Sequence, residues 1–433
     1  MHHIIIGGGP AGLIAAETIR KLAPLDNISI ISDEPEPPYS RMAIPYLLMG
    51  KVQEHGTHLR KNNAHLADLK VNWVQASVKS VNTATKTIAL STGVSTSFDT
   101  LLIASGSHPI APPIPGIQSE GVHTCWTLAD ARHIMAKAGK GTRVLQLGAG
   151  FIGCIIMEAL AARGVKLSVV EMGDRMVPRM MGPAAGGMIR QWCEAKGVEA
   201  FASAKGEAIE AAKPLKVKLS TGKTVEADLL ISAAGVRPAI GYLKDSGIEC
   251  LLGVLTDAHL QTNVPGIYAA GDCAEAFDKI SNKTIVSAIQ PNAAEQARCA
   301  AINMVAYSRG EPAKTELKGV TQINVLDTLG LISCSFGNWL GVGQAEGGEH
   351  VELNDITNNR HLNLQFKDDV LVGCNAVGWT QHVGVLRSLV EDQIKLGPWK
   401  DKLKTDPTLL VEAYLASAQG QGQWSGADDV RRR

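Results

Sequence analysis

Gly7, Gly9 and Gly12 in "IIIGGGPAGLIAAE", and Gly148, Gly150 and Gly153 in "VLQLGAGFIGCII", repeat the spacing G-x-G-x-x-G twice in one chain. Each time an apolar run ends at the first glycine and a helical pattern opens after the second. Glycine suits the first position by allowing a tight turn, the second by letting backbone approach a pyrophosphate, and the third by close helix–strand packing. The N–H groups and dipole of the following helix then face the phosphates. One such motif alone is weak evidence, since a glycine turn can bind nothing. Two, each set between strand and helix, imply two dinucleotides.

An acid past the next strand completes each unit. "NISIISDE" offers Asp33 or Glu34, and "VKLSVVEMGDR" ends at Glu171. A carboxylate there accepts hydrogen bonds from ribose hydroxyls. Against a 2′-phosphate it would be a like charge at ~4 Å, costing up to ~4 kcal/mol at an effective dielectric of ~20. The second loop is therefore expected to prefer NADH to NADPH. Arg175 could soften that choice, or be an ordinary solvated surface charge.

These loops need parallel strands to hold them. "HHIIIGGG" and "TRVLQLGAG" read as buried strands, each leading into an Ala- and Leu-rich helix. Between the two units, roughly 71–111, short alternating runs suit a small sheet and a return strand, and the Pro-rich "PIAPPIPGI" at 109–117 makes a plausible interdomain crossing. Beyond Gly310 the pattern turns antiparallel: "HLNLQFKDDVLVGCNAV" alternates about Asp368 and Asp369 as a tight hairpin would, and "QHVGVLRSLVEDQIKL" has helical spacing. The end, "SAQGQGQWSGADDVRRR", is poor in apolar residues and reads as a solvated tail, with Trp424 and the terminal arginines as a less favoured docking tag.

Length and composition bound the rest. A chain of 433 residues suits two to three domains. Lys plus Arg and Asp plus Glu both total 42, so no whole-chain field favours nucleic acid or an anionic membrane. Folded structure begins at once, with no room for a signal peptide, and no apolar run is long enough to span a bilayer; a cytoplasmic protein is expected. The eight cysteines are scattered, with no C-x-x-C pair and no spacing for zinc or an iron–sulfur cluster, so no metal is expected.

Five motifs in order, "GGGPAG", "IASG", "GAGFIG", "GVRP" and "YAAGD", make residues 1–400 resemble FAD-dependent pyridine-nucleotide oxidoreductases of the glutathione-reductase fold. The similarity is strongest to the branch with ferredoxin and rubredoxin reductases and the flavin-binding part of NADH nitrite reductase. It implies an α/β fold of two Rossmann-like dinucleotide-binding domains, for FAD and NAD, plus a C-terminal α+β interface domain. The expected boundaries are 1–112 with 241–318 for FAD, 113–240 for NAD, 319–418 for the interface domain and 419–433 for a flexible tail.

The resemblance also implies the ligands. FAD would be held by Gly7, Gly9, Pro10, Ala11 and Gly12, by Asp33 or Glu34, by Arg41 at the phosphates and by the Val78 backbone at the adenine. Ala104, Ser105 and Gly106 with Gly271 and Asp272 would return the chain to the flavin, Asp272 accepting from ribityl hydroxyls. Pro291 would open a helix aimed at the flavin's pyrimidine edge, favouring the anionic reduced form by ~2 kcal/mol, roughly 40 mV for a two-electron couple. NAD(H) would be held by Gly148, Gly150, Phe151, Ile152, Gly153 and Glu171, with Gly235 beside the nicotinamide. Hydride transfer to flavin needs no protein nucleophile, so no catalytic residue is named.

The departures carry information. Coenzyme A-disulfide reductases and NADH peroxidases have a redox cysteine where Met42 stands, and a thioether forms no thiolate, sulfenic acid or mixed disulfide. Lysine, glutamate and arginine positions usual in ferredoxin reductases are here Tyr46, Ile155 and Ile110. Electrons are therefore expected to pass singly between FAD and an iron–sulfur protein, or an iron–sulfur subunit of a larger complex, in either direction. "PPYSRMAIPYLLMGK" also resembles the FAD subunits of anaerobic tungsten-dependent aldehyde and phenylglyoxylate enzymes. The alternatives are an NADH oxidase reducing O₂ and an NADH-sensing flavoprotein of signalling type. A homodimer or hetero-oligomer is compatible with each.

Overall fold

The computed structural model describes residues 1–420 apart from 63, 279–280 and 320–322. Trp424 and most of the expected tail lie outside the described residues, and the last helix, Leu410–Gly420, runs through the tail's expected start. The chain divides into two compact units: Met1–Ile110 with Trp126–Arg132 and Val236–Val320, and Ala111–Cys125 with His133–Gly235 and Thr321–Arg433.

In the first unit five parallel strands run in the order Ile267–Ala269, Thr100–Ile103, His2–Ile6, Asn27–Ser32, Val71–Gln75. The aliphatic runs 4–6 and 101–103 of two inner strands are buried throughout, as in strands covered on both faces. One cover is made by two helices, Pro10–Leu22 and Gln290–Ser308, meeting through alanines: Ala11, Ala15 and Ala16 share a buried cluster with Ala293, Ala297, Ala300 and Ala301. Such small side chains let the backbones approach closely. The segment expected as a small sheet divides in two. Val71–Gln75 joins the main sheet, because its pairing with Asn27–Ser32 gives Val71 a buried place, while Val78–Asn82, Thr87–Leu90 and Ser95–Ser97 form the antiparallel sheet.

The second unit repeats the plan with strands in the order Glu199–Phe201, Lys166–Val170, Arg143–Leu147, Leu229–Ser232, Val122–His123, again parallel. It also contains the C-terminal antiparallel sheet, ordered Ile323–Thr328, Leu331–Gly337, Val370–Val377, Arg360–Lys367, Gly348–Asp355. Its two-residue turn is at Asp368 and Asp369, with Asp368 at φ +52°. Trp126–Arg132, within the stretch expected to bind NAD, packs instead with the first unit. Arg132 there binds Glu54 and Glu36, and Trp126 binds Ser107.

Candidate active site

The first glycine loop has the geometry its spacing requires. Gly7 sits at φ +113°, where a Cβ would overlap the Ala104 carbonyl, and a Cβ on Gly12 would overlap the carbonyl of Gly7. At Gly9 a Cβ would meet nothing within 4 Å. The loop is thus tight at its first and third glycines and open at the second, leaving a face that fits a pyrophosphate. The helix Pro10–Leu22 starts there with Gly9 as N-cap and no side-chain cap, so its first-turn N–H groups remain for anionic oxygens.

Ala104, Ser105 and Gly106 follow the strand Thr100–Ile103, while Gly271 and Asp272 follow Ile267–Ala269, the neighbouring strand. The Ser105 hydroxyl donates to the Ala239 carbonyl at 2.8 Å and accepts from Tyr242 at 3.2 Å. Among the described residues, Asp272 accepts one bond, from the Ser107 hydroxyl at 3.2 Å. Burial pushes its pKa up, only partly offset by that bond and by the charge of Arg41. A carboxylate so short of donors fits a ligand that brings hydroxyls.

Arg41 is already organised. It donates to Glu34 at 2.6 Å, to the Tyr39 hydroxyl at 3.0 Å and to the Trp126 carbonyl at 2.7 Å, with rings of Tyr39 and Trp126 below its guanidinium. Glu34 therefore spends one oxygen on Arg41 and the other on Tyr39, at 2.6 Å, while the adjacent Asp33 is exposed. Val78 opens the antiparallel sheet. Pro291 is the second residue of its helix rather than the first: the Ala293 N–H donates to the Ile289 carbonyl at 3.1 Å, which makes Ile289 the N-cap and Gln290 the first residue, its side chain accepting from the Ser40 hydroxyl at 2.6 Å. Met42 is 55% exposed, in a single turn of 3₁₀-helix.

The second loop, in the other unit, has the same form. Gly148 is at φ +99° with its missing Cβ against the Ala233 carbonyl, Gly153 packs against Gly148, and Gly150 is open. Phe151 and Ile152 begin the helix Phe151–Ala162 behind Gly150, again without a side-chain cap. Glu171 accepts the Ala149 amide and the Gly173 amide, both at 2.7 Å, which fixes its carboxylate beside the loop with a lone pair left on each oxygen. Arg175 is folded into its own turn, donating to the Met181 carbonyl at 2.9 Å and to Asp174. Gly235 follows the strand Leu229–Ser232.

Three further residues support these sites and were not singled out from the sequence. Gln296, buried on the Ala-rich helix, accepts the Gly271 amide at 2.8 Å and so anchors the turn bearing Asp272. Gln146, fully buried, donates to the carbonyls of Gly148 and Gly153 at 2.8 and 2.9 Å. A lone glutamine in an apolar strand run was a visible signal for it. Trp126, which also donates its indole N–H to the Ser107 carbonyl at 3.0 Å, left none.

All eight cysteines are free, and all but Cys250 are buried. Burial pushes the thiol of Cys273, next to Asp272, up to about 11, and those of Cys193 and Cys334 up to about 12. His361 is buried and bonded to Asn354, and His382 sits at a helix N-cap.

The pyridine nucleotide-disulphide oxidoreductase family matches residues 1–299. Among curated relatives, subunit epsilon of an NADH-dependent phenylglyoxylate dehydrogenase from Aromatoleum evansii is 29% identical over 407 residues, covering 94% of this chain and 95% of the relative. An NADH oxidase from Methanocaldococcus jannaschii is 29% identical over 405 residues, covering 87% and 88%. Among solved structures, a covalent complex of putidaredoxin reductase with putidaredoxin matches with a TM-score of 0.85 at 20% identity, covering 96% of this chain and 98% of that one, a likeness of fold. The chain belongs to the pyridine nucleotide-disulphide oxidoreductase family, whose members bind FAD and NAD(H), and is an FAD-dependent NADH oxidoreductase.

Proposed function

We propose that the enzyme exchanges electrons between NADH, held on the second glycine loop, and an iron–sulfur protein or iron–sulfur subunit of a larger complex, by way of FAD held on the first. Bound FAD supplies the conversion between a two-electron donor and a one-electron acceptor. The chain's own part is to bind and orient. The open face at Gly9 and the first turn of Pro10–Leu22 receive the FAD pyrophosphate, Arg41 adds charge there, and Asp272 accepts from the ribityl hydroxyls. Gly150, Phe151 and Ile152 receive the NADH pyrophosphate and Glu171 its ribose.

The observation that carries the acceptor class is Met42, an exposed thioether where related disulfide and peroxide reductases place their redox thiol. The native cysteines offer no ready thiolate: all but Cys250 are buried, and burial raises the thiol pKa of Cys250 as it does that of Cys273. The Aromatoleum evansii relative, a subunit of an NADH-dependent dehydrogenase, supports a place within a larger assembly. The Methanocaldococcus jannaschii relative keeps reduction of O₂ as the rival.

The test is anaerobic reduction by NADH followed by timed reoxidation with O₂ or with an oxidised ferredoxin or rubredoxin. Reoxidation at least about tenfold faster by the iron–sulfur protein is expected. Fast turnover with O₂ and none with the protein would establish the oxidase instead.

A further inference from the structure

Asn375 lies in the middle strand of the C-terminal sheet, 2% exposed. Its side chain is engaged with the other half of the second unit. Nδ2 donates to the Met180 carbonyl at 2.9 Å and Oδ1 accepts the Gly182 amide at 2.9 Å. These partners fix the amide's orientation, since a flip would set donor against donor and acceptor against acceptor.

Met180 and Gly182 end a strap, 171–182, that is tied to the glycine loop at Ala149. At its start Glu171 accepts the Ala149 N–H at 2.7 Å. At its middle the Val177 N–H donates to the Ala149 carbonyl at 2.9 Å, and the Val177 carbonyl accepts from Met180 and Met181, both at 2.9 Å. Val177 is buried and holds φ +50°, a backbone conformation that β-branched residues seldom adopt, so its surroundings must impose it.

The consequence falls on the N–H at the loop's open position, Gly150. In a trans peptide the C=O and the following N–H point in opposite directions. Holding the Ala149 carbonyl against Val177 therefore turns the Gly150 N–H the other way, at the position where the loop is open.

We infer that Asn375 is a positioning residue for NADH binding: from the C-terminal sheet it holds the strap that sets the Ala149–Gly150 peptide, and so aims the Gly150 N–H at the pyrophosphate. The assignment rests on the proposed use of the second loop by NADH. It gives the C-terminal sheet a function in dinucleotide affinity in addition to any role in assembly.

The test compares the flavin-loaded protein with Asn375→Leu, which removes both bonds at similar volume, and Asn375→Asp, which keeps only the acceptor for Gly182. Calorimetric titration with ADP-ribose reads affinity without any redox step. Stopped-flow reduction by NADH separates apparent Kd from the limiting rate. Asn375→Leu and Asn375→Asp, the second setting a carboxylate oxygen against the Met180 carbonyl, should each weaken ADP-ribose and NADH by about three- to thirty-fold, while flavin content and limiting rate change less than about twofold. Asn363→Ala removes a neighbouring polar side chain in the same sheet, which accepts from Gln365 and has no hydrogen bond to the strap among the described residues, and should leave both affinities unchanged.

Unchanged affinity in Asn375→Leu, an equal loss in Asn363→Ala, or loss of flavin and fold in both Asn375 variants would overturn the assignment. A parent protein that binds ADP-ribose but whose flavin NADH does not reduce would overturn the proposed function alone.

Discussion

The guanidinium of Arg41 lies over the indole of Trp126, 5.1 Å from the ring centroid, and donates to that residue's carbonyl oxygen at 2.7 Å. Trp126 donates in turn to the Ser107 carbonyl, and the Ser107 hydroxyl donates to Asp272. One aromatic residue thus braces both charged groups proposed to hold FAD.

Removing it should loosen both. A cation–π contact contributes about 1 kcal/mol and an abandoned hydrogen bond about the same. Trp126→Ala should therefore weaken FAD by roughly ten- to thirtyfold, measured by flavin fluorescence titration of the apoprotein. Trp126→Phe keeps the stacked face and should recover about half of the loss in free energy. Equal affinity in the alanine variant and the parent would show that Arg41 needs no brace.

Asp272 sets a cost in stability against flavin binding. Its pKa is raised in the folded chain, chiefly by burial, so the native state holds the proton more tightly than the unfolded state. The associated stability is present below the unfolded pKa and is lost as pH rises through the folded one. At neutral pH the flavin-free protein should melt at a lower temperature than Asp272→Asn, and the gap should close on acidification. The same substitution should weaken FAD by about ten- to hundredfold, because a charge-assisted hydrogen bond becomes a neutral one. Melting curves of both apoproteins between about pH 4 and about pH 8 check the sign.

How much of this could be read in the sequence follows from the range of each interaction. The glycine loops, the parallel strands that carry them and the Asp368–Asp369 turn depend on neighbours a few residues away, so spacing alone exposed them. Trp126, Gln296 and Asn375 act on Arg41, Gly271 and Met180, partners distant in the chain, and no local pattern distinguishes them from ordinary core or loop residues. Likewise, a proline reads as a helix's first residue by its φ preference, but here the Ala293–Ile289 backbone bond starts the helix one residue earlier, at Gln290.

Glu171 should decide between the nicotinamide cofactors, and the fold of Arg175 sharpens that choice. With its guanidinium turned to the Met181 carbonyl and Asp174, Arg175 is occupied within its own turn. Glu171→Ala removes the like charge facing a 2′-phosphate and also frees the Ala149 amide. The kcat/KM ratio of NADPH to NADH should rise at least about tenfold, while the KM for NADH itself increases. An unaltered ratio would place the discrimination elsewhere on the loop.

Met42 gives the sharpest test of how electrons leave. If the exit runs from flavin to an external iron centre, the thioether takes no part in the chemistry and serves only as exposed surface. Met42→Ala should then reduce with NADH and reoxidise with an iron–sulfur protein at rates within about twofold of the parent, since truncating an exposed side chain costs little. Compared with the parent, in which only Cys250 is not buried, Met42→Cys should add one readily alkylated thiol to the folded protein, and blocking it should leave NADH-dependent reduction of the iron–sulfur protein intact. A collapse of that rate in Met42→Ala, with reduction by NADH unchanged, would mean that the side chain itself contacts the acceptor.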